Sequence, residues 1–255
     1  MATSPAGLFV RASAVPALRC ERLTSVAQTY AAGREFHDDY LWAKLCAAEA
    51  ELEHRLRVFF SPVDIIPQGY VETPAPTGRW IEEPGYDYSP DLFSGDRWGL
   101  IETRQKPIIS VTRLWFAYPT LGLGSAFTVP NDWLRIDKKY GRINLVATSS
   151  VMMMPLNSYI LSVLGAGRMV PLMLQIRYRA GLSDAATTYP DLTDLIQRMA
   201  MLSLMDDLFL PGSGSISADG LSQSLSVDRA RYQEAIDSRV DRLMQAIHGQ
   251  RLVVC

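Results

Sequence analysis

The chain has 255 residues, 48 % of them hydrophobic, and a formal net charge of −2 at pH 7. That length and apolar content sustain a packed core and exclude global disorder. The near-neutral charge excludes a generic nucleic-acid coat, which needs a strong basic excess.

Residues 1 to 34 are rich in Ala and Ser and read as an irregular N-terminal arm. Met1 to Ala14 lacks the charged start and long apolar core of a signal peptide. Residues 35–62 are expected to carry a helix. Asp38 and Asp39 favour its positive N-terminus, and Arg55 and Arg57 its C-terminus. Leu41, Leu45, Ala48, Leu52 and Leu56 recur at steps of three and four and form one apolar stripe. Glu49, Glu51 and Glu53 lie off that stripe and are expected to face water or a partner, and Pro62 is expected to end the helix. Residues 63–104 hold Pro67, Pro74, Pro76, Pro84 and Pro90 among many aromatics. They read as a long insertion or a set of short strands, of a length that usually serves function or an interface.

Residues 105–181 read as a β region. Ile108 to Phe116 is rich in β-branched and aromatic residues. Trp133 to Asp137 and Arg142 to Val146 alternate apolar and polar around a Lys138–Gly141 turn, which predicts an antiparallel hairpin. Leu172 to Gly181 is a further strand, and Leu156 to Leu164 a short helical insertion. The Ser150–Pro171 stretch is broken by Pro155, Asn157, Gly165, Gly167 and Arg168. It falls short of a membrane span, so a soluble chain is expected.

Residues 186–249 read as helical. Pro190 suits a helix start, with Leu192, Leu195, Ile196, Met199, Leu202 and Leu208 on its buried face. A Gly212–Ser215 loop follows. A second helix places Tyr232, Ile236, Val240, Leu243 and Ile247 inward, and Gly249 stops it. Its other face carries Arg229, Arg231, Glu234, Asp237, Arg239, Asp241 and Arg242. An apolar tail, residues 250–255, closes the sequence. The expected fold class is α+β: a helical bundle of N- and C-terminal helices with an inserted antiparallel β region, residues 35–255 forming one domain.

Reactive constellations are sparse. No GxxxxGK[ST] loop, GxSxG elbow or HExxH motif occurs. His37, His54 and His248 lie outside metal-ligand spacing, and Cys20, Cys46 and Cys255 form no CxxC pair. Asp206-Asp207 reads as a solvated helix end. Glu82, Glu83, Asp87, Asp91 and Asp96 do not match a calcium-loop pattern. A non-enzymatic chain without metal or cofactor is expected. Lys44, Lys106, Lys138 and Lys139 are the only lysines. Most positive charge is therefore arginine, which suits bidentate contacts and is enriched at protein interfaces.

The order of elements carries a resemblance. A helix with Ala47-Ala48-Glu49 comes first, then Lys106-Pro107-Ile108-Ile109-Ser110-Val111. Next are the unit Leu134-Arg135-Ile136-Asp137 to Gly141-Arg142-Ile143-Asn144-Leu145 and the strand Tyr178-Arg179-Ala180-Gly181, followed by Tyr189-Pro190 and a helix. This succession, over roughly residues 37 to 60 and 105 to 210, resembles the head–tail connector (adaptor) proteins of tailed bacteriophages. The 63–104 segment, the 151–170 insertion and the final helix and tail are longer than in the compact members.

The resemblance implies a virion protein at the head–tail interface. It implies a homo-oligomeric ring, typically a dodecamer, that binds the portal protein above and a neck or tail protein below while double-stranded DNA passes through its channel. In that setting Arg229, Arg231, Glu234, Asp237, Arg239, Asp241 and Arg242 are candidates for the contact between copies. Leu252, Val253, Val254 and Cys255 are candidates for docking to the portal or a neighbouring subunit by strand addition. Arg135, Lys138, Lys139 and Arg142 are candidates for phosphate contact, with a solvated hairpin edge as the alternative. Two other readings stay open: another tail-completion or baseplate ring protein, and a soluble enzyme that takes a carbohydrate or small ligand at the aromatic 70–98 segment.

Overall fold

A computed structural model of the chain describes residues 2–21, 36–70, 78–93, 98–117, 127–146, 169–207, 213–218, 221–226 and 229–249. The described residues form a mixed α+β structure. Two compact units divide it: Met1–Ser61 together with Asp184–Cys255, and Pro62–Ser183.

The first unit is organised by helix α2 (Asp38–Leu56), since α1 (Arg11–Glu21) precedes it and two later helices, Pro190–Asp207 and Arg229–His248, pack on it. The predicted stripe Leu41, Leu45, Ala48, Leu52 and Leu56 is buried. The helix ends at Leu56, not at Pro62. Arg57 takes a left-handed conformation (φ 53°) and its N–H bonds the Glu53 carbonyl, which satisfies one of the carbonyls left open at a helix end. Two of the three glutamates do not lie on the outer face, where water or a partner was expected to meet them. Glu49 is 1 % exposed and Glu53 is 7 % exposed; only Glu51 stays outside, paired with Arg55 at 2.7 Å. Residues 45, 49 and 53 are four apart, so the helix lays both carboxylates along the buried stripe.

Buried carboxylates need donors, and the chain supplies them from both flanks. Ser4 donates its hydroxyl to Glu49 at 2.8 Å, and the Ala6 N–H reaches the same carboxylate at 3.3 Å. The Phe60 N–H bonds Glu53 at 2.8 Å. The arm is thus not wholly irregular. Thr3 and Val10 form an antiparallel bridge, and α1 buries Val15 and Leu18 against Leu41, Met201 and Leu204. The short apolar face, interrupted by Pro16, hides this helix in the sequence.

Helix α3 (Ala185–Thr188) leads into α4 (Pro190–Asp207), with Pro190 first as predicted. Leu192, Leu195, Ile196, Met199 and Leu202 are buried, whereas Leu208 and the 156–164 segment lie outside the described residues. Asp207 at the end of α4 is exposed, yet it accepts the Tyr40 hydroxyl and pairs with Lys44. Those contacts hold its carboxyl below the usual range, Lys44 first among them. The expected Gly/Ser loop is instead the edge of a hairpin, β10 (Ser213–Ala218) against β11 (Leu221–Ser226). Alternating Ser/Gly and apolar residues suit a strand as well as a loop. Helix α5 (Arg229–His248) buries Ile236, Val240, Leu243 and Ile247, and Gly249 follows at φ 74°.

The second unit is built on one long strand. Its strands are β1 (Val63–Pro67), β2 (Trp80–Glu83), β3 (Tyr86–Tyr88), β4 (Ile101–Glu102), β5 (Ile108–Phe116), β6 (Phe127–Thr128), β7 (Leu134–Asp137), β8 (Arg142–Leu145) and β9 (Val170–Ala180). The larger sheet runs β2-β1-β9-β5-β6, with β3 also on β9. The β5–β9 pairing is antiparallel and places Leu114 beside Ile176 and Phe116 beside Leu174, all buried. The β region is not purely antiparallel: β1 and β2 run parallel, Asp64 facing Trp80, across the intervening residues 68–79, the length a crossover needs. The predicted hairpin forms as β7 and β8 and joins β4 in a separate three-stranded sheet. Its turn uses Gly141 at φ 68°, where a Cβ would lie 2.6 Å from the Thr103 hydroxyl, so glycine is required there on both counts.

Burial, ahead of the opposing bonds from Ser4 and Ala6, pushes the Glu49 carboxyl above the ordinary range. The folded chain therefore keeps this proton at a pH where the unfolded chain has lost it. Its stability contribution is full below about pH 4.3 and is lost as pH rises through the raised folded value. Glu49→Gln should flatten that decline in urea-unfolding free energy. Glu49→Ala should cost about 1–3 kcal/mol by orphaning the Ser4 and Ala6 donors. By contrast, Arg57→Gly should raise the thermal midpoint, because it removes a left-handed non-glycine costing about 1 kcal/mol.

Candidate functional site

Helix α5 presents the charged face that the sequence offers for contact between copies. Arg231, Glu234, Asp237, Asp241 and Arg242 are exposed, and Arg239 is half-buried; the Arg229 side chain lies outside the described residues. Asp237 and Arg239 are used within the unit. Asp237 accepts Arg55 of α2 and Gln233, each at 3.0 Å. Arg239 donates to Asp194 of α4 at 2.8 Å, and Asp194 also takes Arg198 at 2.7 Å. These bonds fix the rotation of α5 on α2 and α4. What remains outward is of mixed sign: Glu234, Asp241 and Arg242, the last bonded only loosely to the Ser238 carbonyl at 3.3 Å.

The β7–β8 hairpin gathers the four basic residues predicted for phosphate contact. Lys138 and Lys139 are exposed at its turn. Arg135 is exposed and donates to the Asp132 carbonyl at 2.9 Å. Arg142 pairs with Glu102 at 3.1 Å and sits over the Tyr140 ring. Asp137 stands opposite Arg142 in the ladder. The cluster is therefore interleaved with carboxylates, which weakens any net pull on a polyanion. The tail candidates Leu252, Val253, Val254 and Cys255 lie outside the described residues.

Sequence reasoning missed a third feature, a buried network in the second unit. Glu83 ends β2 and is 6 % exposed. Its Oε2 accepts the hydroxyls of Tyr86 and Tyr178, both at 2.9 Å. Each phenol in turn accepts a backbone N–H, from Arg104 at 3.0 Å and Gln105 at 3.2 Å. The Arg104 guanidinium stacks on Tyr86 at 4.2 Å and donates to the carbonyls of Pro84 and Gly85. A Cβ at Gly85 would lie 2.5 Å from the Gln175 amide, so the close approach of β3 to β9 depends on glycine. The sequence hinted at this only through Tyr178, which belongs to the Tyr178–Gly181 motif.

A carboxylate between two phenols performs proton transfer only where a substrate reaches it. Here Glu83 and Tyr178 are buried, and the network ties the 104–105 loop to β2 and β9. The aromatic segment divides in the same way: Tyr86 and Tyr88 turn inward, Tyr88 edge-on to Phe116 at 6.2 Å, while Trp80 and Trp98 face solvent. Among the described residues no group of three or more His, Cys, Asp or Glu side chains converges to hold a metal ion. No helix among them is long and apolar enough to cross a membrane. An open depression of about 420 Å³ beside α1 is lined by Ala2, Arg11, Ala12, Val15, Pro16 and Asp38, without a convergent reactive set. No protein-family model matches the chain, and no curated protein matches it.

Burial first, then the Glu83 charge, pushes the Tyr86 phenol up to about 12, and burial with the Tyr86 and Glu83 charges raises Tyr178 as well. Both phenols keep their protons in the fold, so this stability is full below about pH 10 and is lost as pH rises above that value. Tyr178→Phe should soften the alkaline loss of stability, and at neutral pH should cost about 1–3 kcal/mol from the orphaned Gln105 N–H and the lost bond to Glu83. Phenolate absorbance and urea unfolding, measured in parallel across pH, check both.

Proposed function

We propose that this chain is a non-enzymatic virion structural protein of a tailed bacteriophage. Copies form a ring, a dodecamer by resemblance, that joins the capsid portal to the neck or tail and lets DNA pass through its channel. The observation that carries the reading is the outward face of α5. It keeps Glu234, Asp241 and Arg242 exposed in mixed sign on a helix whose rotation is fixed by Arg55–Asp237 and Arg239–Asp194. A rigid, mixed-sign face suits a heterologous contact between copies, which closes into a ring. It does not suit a polyanion, which calls for one sign.

Two further points support the reading. The order of helix, strand, hairpin, strand and helix follows the connector family. The buried Glu83 network consumes the one carboxylate–phenol cluster described above in structural bonds. On this reading the fold is a helical bundle of N- and C-terminal helices carrying an inserted β region, antiparallel except at β1–β2. Arg231 and Arg229 extend the contact along α5. Arg135, Lys138, Lys139 and Arg142 give the channel a weak, sequence-blind phosphate contact tempered by Glu102, Asp132 and Asp137. Leu252 to Cys255 form a docking segment. A tail-completion or baseplate ring would share the self-contact and differ in its partners.

Sedimentation velocity and negative-stain imaging, alone and with portal particles, test the proposal. A closed ring is expected. Glu234→Arg or Arg242→Glu should weaken assembly by up to about fivefold per contact, as exposed ion pairs do, with an unchanged circular dichroism spectrum. A compact monomer that turns over a carbohydrate or small ligand, and does not bind portal, would overturn the reading in favour of the enzyme.

A further inference from the structure

Strand β2 is the outer edge of the larger sheet: among the described residues it pairs with β1 alone. The bonds from Asp64 N–H to the Arg79 carbonyl and from Gln68 N–H to the Glu83 carbonyl, 3.0 and 2.8 Å, turn residues 79, 81 and 83 toward β1. The alternation of a strand then points the backbone groups of Trp80 and Glu82 outward. Open edges invite another strand, and proteins blunt them with short length, charge or proline. Among the described residues the other edges differ in length or charge. β3, β4 and β6 are two or three residues long, β7 mixes Arg135 with Asp137, and β10 and β11 are serine-rich and uncharged. β2 is four residues long without proline, and its charges, Glu82 and Glu83, are both acidic. Its Trp80 is 46 % exposed, a large apolar ring left in water beside backbone that meets no second strand among the described residues.

We infer that this edge accepts residues 250–255 of a second copy as an added antiparallel strand. The sequence of that segment, Gln250-Arg251-Leu252-Val253-Val254-Cys255, fits one register. With Arg251 opposite Glu82, Leu252 falls opposite Ile81 and Val253 opposite Trp80. Opposite charges then meet on the exposed face. A β-branched side chain meets an aromatic ring beside them, and two aliphatic side chains meet on the inner face, each a stabilising cross-strand pair. Arg251 and Val253 exchange backbone bonds with Glu82 and Trp80, the two residues whose groups point outward. The parallel register that pairs Arg251 with Glu82 puts Leu252 against the buried carboxylate Glu83, so antiparallel addition is selected. Gly249, left-handed at φ 74° with its N–H on the Gln245 carbonyl, ends α5 just before the segment and releases it from the helical path.

The inference rests on the proposed association of copies but assigns the docking segment to a neighbour's β2 rather than to the portal. A synthetic peptide of residues 248–255 is titrated into the dilute full-length chain and followed by calorimetry. Micromolar binding is expected. Glu82→Arg in the chain should weaken it about fivefold, an Arg251→Glu peptide should recover it on that variant, and a Val253→Pro peptide, which lacks the required N–H, should not bind. In parallel, full-length Val253→Pro and Glu82→Arg chains are sized by sedimentation, and their circular dichroism and thermal midpoints are compared with the parent chain. Peptide binding that is absent or indifferent to these changes overturns the edge assignment, and rings formed as well by Val253→Pro overturn it while leaving the ring reading intact. No ring from the parent chain, with peptide binding that follows the charge swap, overturns the ring reading and keeps the edge.

Discussion

A carboxylate taken out of water must receive its hydrogen bonds from the chain, and that demand shapes both units of this protein. Glu49 and Glu53 lie on the buried face of α2, among Leu45, Ala48, Leu52 and Leu56. Their donors arrive from opposite directions in sequence: Ser4 and Ala6 before the helix, Phe60 after it. Two chain segments without an apolar stripe of their own are thereby positioned on α2. In the second unit Glu83 draws the hydroxyls of Tyr86 and Tyr178, and these phenols draw the backbone of residues 104 and 105. Unmet, each such acceptor would cost several times what one surface ion pair returns. The bonds to Glu49, Glu53 and the Oε2 atom of Glu83 therefore select one arrangement of the surrounding loops.

The apolar framework around these networks is conventional in its physics. Strand β9 pairs with β1, β3 and β5, so its residues Leu174, Ile176, Tyr178 and Ala180 are covered from both sides. Helices α2, α4 and α5 contribute complementary aliphatic faces to the first unit. Charged residues then act at the seams: Arg55 with Asp237, Arg239 with Asp194, Lys44 with Asp207. These pairs are partly exposed and individually weak. Their role is to choose the rotation of each helix, and hence which charges remain outside.

That choice bears on the proposed function. A subunit built to contact copies of itself needs a rigid surface with both signs of charge and a small number of open backbone groups. The α5 face supplies the first and the β2 edge the second. Neither feature demands a concave reactive site. The hairpin lysines and arginines, diluted by Glu102, Asp132 and Asp137, suit a weak contact that lets a polyanion slide.

Periodicity located α2, α4, α5 and the β7–β8 hairpin, and β-branched and aromatic content located β5; Pro190, Gly141, Gly181 and Gly249 marked the limits of α4, the hairpin turn, β9 and α5. The mixed α+β class follows from that pattern, as do the charged positions on α5. Only the tertiary structure decided the rest. Glu49 and Glu53 read as facing water or a partner because residue type was taken for environment, whereas a distant Ser4 and a neighbouring Phe60 make burial tolerable. Helix α1 and strands β10 and β11 carry too little apolar signal to declare themselves, and the parallel β1–β2 pair depends on a crossover that no local window contains. The Glu83 network is composed of residues up to 95 positions apart. Sequence patterns report what a segment prefers by itself; they do not report which distant donor will meet a buried acceptor, and here that meeting set the final form of the loops and the edge.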